Sequence, residues 1–219
     1  MLVQAKGGKR MGNRLLLLWA GSLRQSWPAY VLILLLFALG LALGVFGAQR
    51  LHGDQVQELG MFLDRFMIQA GTMEIDAIKA LQDFFYRHVV VIVAVYLLGI
   101  TVIGIPVILG IIVARGFVLG YTISFLAGTR GAQGIALICA AVLPQNLILI
   151  PAFLLAGVAA LSFAVLLIRR FNNSAITIWP SFVGYSGLAI VVLLCVAAAG
   201  LVEVYLTPHL VRLAANYIF

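Results

Sequence analysis

Residues 89–114 read VVVIVAVYLLGITVIGIPVILGIIVA, and this run decides the fold. It carries no charged side chain and exceeds the ~20 apolar residues a helix needs to cross a bilayer. Four further apolar runs lie around it: Ala29–Ala48, Gly116–Gly128, a long stretch from Gly134 to Ile168, and Ser186–Leu206. Of the 219 residues 64% are hydrophobic and 10% charged, and mean hydropathy is +1.15. A soluble fold needs a polar surface that this composition cannot supply. The expected class is all-α: a polytopic transmembrane helix bundle of about five spans. It includes one Pro-broken or re-entrant helix and an extracytoplasmic pair of amphipathic helices.

The net charge of +7 is distributed as in cationic cytoplasmic loops. Lys6, Lys9, Arg10, Arg14 and Arg24 precede the first run, while Arg115, Arg169 and Arg170 fill short gaps between later ones. That pattern predicts a cytoplasmic N-terminus, with basic residues near anionic headgroups. No basic stripe interleaved with aromatics calls for nucleic acid. The run 29–48 starts too late and is too long for a cleavable leader, so it reads as an uncleaved span. Before it, Leu15–Trp19 is too short to cross and is expected along the inner membrane surface.

The chain divides into a basic segment (1–28), a first span (29–48), an extracytoplasmic module (49–88), a four-span core (89–206) with a break at 143–151, and a tail (207–219). Six of the seven acids lie in the module: Asp54, Glu58, Asp64, Glu74, Asp76 and Asp83. Val56, Leu59, Phe62, Leu63, Phe66 and Met67 recur at helical steps, as do Ile75, Ile78, Leu81 and Phe85. Two amphipathic helices follow, broken near Gly71 and Thr72. In the core, Pro106 is expected to kink the second span, Arg115 to mark a tight inner turn, and 129–133 to dip into the bilayer. Small residues at every fourth position, Gly116, Gly120, Ser124 and Gly128 against Ala152, Ala156, Ala160 and Ala164, predict that the third and fourth runs pack face to face. Gly40, Gly44 and Ala48 form a shorter stripe on the first.

Few residues bear chemistry. Pro144-Gln145-Asn146, with Pro151 beyond, interrupts the fourth run. Proline frees carbonyls that need partners in a dry medium. Gln145 and Asn146 either satisfy them or line a break that contacts a partner or substrate. Glu203 is the one acid in a span; it is expected to reach the interface or pair with Arg212 or Arg130. His52, His88 and His209 match no ligand spacing, and Cys139 and Cys195 read as small core residues. No hydrolase, nucleotide or redox motif appears, so no catalytic residue and no cofactor is expected.

The segments LGITVIGIPVILGIIVARGFVLGYTISFLAG (98–128) and AAVLPQNLILIPAFLLAGVAALSFA (140–164) resemble the stage II sporulation protein M family. The likeness is most specific over 85–170. It implies a plasma-membrane protein of the septal and engulfing membranes in endospore formation. It further implies a non-catalytic scaffold for engulfment that anchors the peptidoglycan-degrading stage II sporulation proteins D and P. Membrane lipid is the other expected partner, and the small-residue stripes also allow a homo-oligomer. The rival expectation is a transporter or channel using the Pro-broken helix; a third is an intramembrane hydrolase using Glu203.

Overall fold

The computed structural model describes residues 27–51, 53–61, 77–172 and 178–211. Helix α1 is Trp27–Gln49, α2 is 53–61, α3 is Ala77–Gly99, α4 is Gly104–Leu137, α5 is Leu143–Asn172 and α6 is Trp179–Leu201. A π-turn, Ile138–Val142, joins α4 to α5, and a second, Val202–Leu206, extends α6. Four helical stretches among these residues are long and apolar enough to cross a membrane: Trp27–Gln49, Ile78–Gly99, Gly104–Phe171 and Trp179–Val211. The third is 68 residues long, more than twice a crossing, and it folds back on itself. Gly134 packs on the carbonyl of Leu126 and beside Arg130, whereas eight residues of straight helix would separate them by about 12 Å. The reversal is at Gly131, with φ 53° and ψ −124°, a conformation open to glycine and strained for other residues. The bundle therefore makes five passes.

The first hairpin turns earlier than expected. Residues 89–114 are not one kinked span; they are the end of α3, a turn at 100–103, and the start of α4. Thr101 donates its hydroxyl to the Leu98 carbonyl at 3.0 Å, and Gly104 lies against that same residue's backbone. Pro106 falls in the first turn of α4, where an N–H has no intrahelical acceptor to lose. Arg115 consequently marks no turn and sits inside α4. The stretch 129–133 continues α4 to Arg130 and reverses at Gly131.

Nor does the chain unwind at Pro144–Pro151: α5 runs through both prolines. At Pro144 the preceding π-turn explains why. Leu143 N–H bonds to Ile138 O, five residues back, and the widened turn accommodates a proline ring that would clash with the carbonyl four residues earlier.

Helix pairing also differs from expectation. The glycines of α4 meet α1, not α5. Gly40 rests on the Val113 carbonyl, Gly44 on that of Phe117, Gly116 on that of Phe37 and Gly120 on that of Leu41. The numbers rise together, so α1 and α4 run parallel. Two stripes without side chains let backbones touch, which is what drives association where lipid removes any hydrophobic preference. Gly128 faces open space. The α5 stripe is used elsewhere: Ala160 seats against Gly99 of α3, Ala152 and Ala164 are buried, and Ala156 lines a small crevice against α3 and α6. Cys139 is exposed rather than in the core, and Cys195 is half-buried; neither is in a disulfide.

An aromatic ladder ties α3, α5 and α6. Tyr185 stacks between Tyr96 (4.9 Å between centroids) and Phe163 (4.8 Å), and its hydroxyl donates to the Tyr96 carbonyl at 2.8 Å. The Tyr96 hydroxyl shares a 2.9 Å hydrogen bond with Ser186. Below and beside it Ile33, Val95, Ile108, Ile112, Val192 and Val196 close the core.

Candidate functional site

Register places the bundle's ionisable side chains together. Gly99 meets Ala160, and α3 and α5 run the same way, so Phe84 and Gln145 stand at about one height. Gly200 packs on the Phe84 ring, which brings Glu203 in the following π-turn one helical turn beyond. Arg87 and His88 occupy the same stretch of α3. Arg115, eleven residues into α4, lies about 16 Å along that helix. His88 is within electrostatic reach of both Arg115 and Arg87, and Glu203 within reach of Arg87. Three helices thus bring Arg87, His88, Arg115 and Glu203 into the half of the bundle nearer Gly131.

Each group is held differently. His88 stacks on Phe84 (4.2 Å, 20° between planes), and its Nδ1–H donates to the Phe84 carbonyl at 3.0 Å. Nε2 is then the ring nitrogen left for another partner. Arg87 is exposed and donates Nε–H to its own helix at the Asp83 carbonyl, 3.3 Å away. Arg115 is half-buried, and its guanidinium lies 5.1 Å from the centroid of the Phe153 ring, a cation–π contact. Among the described residues no carboxylate pairs with it. Glu203 is half-buried, and its Oε2 is enclosed without a hydrogen-bond partner. The charge of Arg87 acts on it; Arg212, one of the two expected partners, lies outside the described residues.

Of the proline segment, Asn146 bonds back within its own helix and not to the Ala140 carbonyl that Pro144 frees. Its Nδ2 donates to the Val142 carbonyl at 2.7 Å. The Oε1 of Gln145 is enclosed without a partner. Asn146→Leu should therefore lower stability by roughly 0.6 kcal/mol, the typical value of an intramembrane hydrogen bond. Gln145→Leu should be neutral or stabilising, because it removes an unpaired dipole. Thermal melting of the purified variants in detergent checks both; equal losses would contradict the distinction.

The other anticipated residues separate. Leu59 lies on α2 and is exposed, whereas Phe62 and Phe66 fall outside the described residues, as do the basic segment before Trp27 and His52. No group of three His, Cys, Asp or Glu side chains among the described residues could hold a metal. Arg87, His88 and Arg115 were not singled out as a set by the sequence. The usable signal was Gly99, Thr101 and Gly104 in one short stretch, a turn marker that moves Arg115 from a loop into a span.

A family model described as Stage II sporulation protein M matches residues 33–208. No curated protein matches the chain, and no solved structure does.

Proposed function

The chain belongs to the stage II sporulation protein M family, which implies a role in sporulation, and from that premise we propose that it is a non-catalytic membrane anchor. It holds the peptidoglycan-degrading stage II sporulation proteins D and P at the septal and engulfing membranes while the forespore is engulfed. The observation that carries this role is the closed interior. Among the described residues no polar or charged side chain is fully buried. The crevice lined by Ile92, Tyr96, Ala156 and Tyr185 has a volume of about 10 Å³, room for a single water at most. The cluster around Arg115 occupies one half of the bundle, and Ile33, Ile108 and Ile112, each 0% exposed, seal the other. A conduit would need a polar path through that seal.

Helix α2 supports the same role. Gly53 and Gly60 face open space, and Asp54, Glu58, Leu59 and Met61 are exposed. An acidic, partly apolar helix standing clear of the bundle offers a partner both charge and grease. Removing residues 53–85 would also cut into α3, so the test deletes 53–76 and joins the flanks with a flexible linker. Recovery of the two hydrolases with the tagged protein from sporulating membranes should fall to background while the spans still insert. Undiminished recovery would move the docking site off this module.

A further inference from the structure

Arg115 is in an unusual position for a charge. It lies eleven residues, about 16 Å, into α4, inside a stretch long and apolar enough to cross a membrane. Charged side chains at such depth are costly and mark sites whose partners are worth naming. Among the described residues the guanidinium has one partner, the Phe153 ring at 5.1 Å, and a ring leaves most of its five N–H donors unanswered. His88 adds a second polar group from α3, with Nδ1 fixed on the Phe84 carbonyl and Nε2 open. The approach is clear. Val107, Ala114 and Val118 form the exposed strip of α4 next to Arg115, Val118 being 60% exposed. Gly110 on that strip has nothing within 4 Å of where a Cβ would stand.

We infer that Arg115, with His88 beside it, is the docking point for an aspartate or glutamate within a transmembrane helix of a partner protein. The partner helix lies along the Val107–Val118 strip, where Gly110 and Ala114 let its backbone come close. The carboxylate accepts two N–H bonds from the guanidinium in a fork. His88 Nε2 either accepts the proton of the acid or, when the ring is charged, donates to its anion. Lipid phosphate fits less well, because it resides at the headgroups while Arg115 stands inside an apolar span. Glu203 of a second copy fits less well too, since its Oε2 is enclosed. The site rests on the anchor role only in that it names how one partner is held.

The test uses the full-length protein in phosphatidylcholine vesicles and fluorescently labelled Leu/Ala transmembrane peptides with a central Asp, Asn or Leu. Energy transfer should show the Asp peptide binding at least roughly tenfold tighter than the Leu peptide, as a charge-assisted intramembrane pair allows. Arg115→Gln should bring the two together, Arg115→Lys should retain part of the difference, and His88→Leu should weaken it less than Arg115→Gln does. Equal binding of the Asp and Leu peptides to the wild-type protein overturns the proposal and does not depend on any variant folding. Arg115-dependent displacement of the Asp peptide by added phosphatidylglycerol overturns it in favour of lipid. Hydrolase recovery from sporulating membranes separates the two failures. Recovery without Asp-peptide preference sinks this site alone, and preference without recovery sinks the anchor role alone.

Discussion

Gly116→Leu should detach α1 from the bundle. The glycine rests on the Phe37 carbonyl, with the Leu41 nitrogen 3.0 Å from where a Cβ would be. The obstruction is backbone, which cannot swing aside as a side chain can. The leucine therefore either separates the two helices or forces them out of register. Separation also lifts Gly40 off Val113, Gly44 off Phe117 and Gly120 off Leu41, so one substitution opens the whole seam. The loss should reach or exceed the upper end of the ~1–3 kcal/mol that overpacking costs. Gly110→Leu on the same helix meets nothing within 4 Å and should be almost silent. Melting of the two variants in detergent, with a cysteine crosslink between α1 and α4 as a proximity gauge, decides this. Equal stability for Gly116→Leu and the wild type would mean that the seam does not hold α1.

Tyr185→Ala should be the second large loss, and its comparison with Tyr185→Phe divides the cause. Tyr185 is 6% exposed, sits between two aromatic rings, and hydrogen-bonds the Tyr96 carbonyl. Phenylalanine keeps both stacks and loses the hydroxyl, a cost of roughly 0.6 kcal/mol in a membrane interior. Alanine removes the ring and leaves a cavity where α3, α5 and α6 meet, a loss on the order of 3 kcal/mol by analogy with aromatic truncations in other cores. Packing should therefore outweigh the hydrogen bond several-fold. Equal losses for the two variants would show that the hydroxyl, through the Tyr96 carbonyl, is what fastens α6 to α3.

The anchor role and the Arg115 site draw on different parts of the chain. Helix α2 is not among the stretches long and apolar enough to cross a membrane, and Arg115 is within one of them. A partner with a single span and an extracytoplasmic enzyme domain could engage both, and two weak contacts on one partner act as a strong one when their spacing matches. That geometry suits a protein that must hold an enzyme against cell wall while the membrane beneath it moves.

The amino-acid sequence by itself determined that the chain is helical, membrane-embedded and close to five passes. Those are consequences of local composition: every stretch must satisfy its own backbone in hydrocarbon, and a run of apolar residues such as 89–114 does so only as helix. The second of the two expected amphipathic helices proved to be the start of the span α3, with Phe84 in the core. The tertiary structure alone decided which glycine stripe meets which, that the first hairpin turns at 100–103, and that Arg115 is half-buried in a span, level with His88. Periodicity reports the face a residue occupies but not the helix opposite, because lipid and leucine are equally apolar and the choice falls to the fit of two backbones. The turn could not be placed from hydropathy either, because Ile100, Val102 and Ile103 are as apolar as the helices they separate. Shifting it by about a dozen residues moves an arginine from a loop into a span.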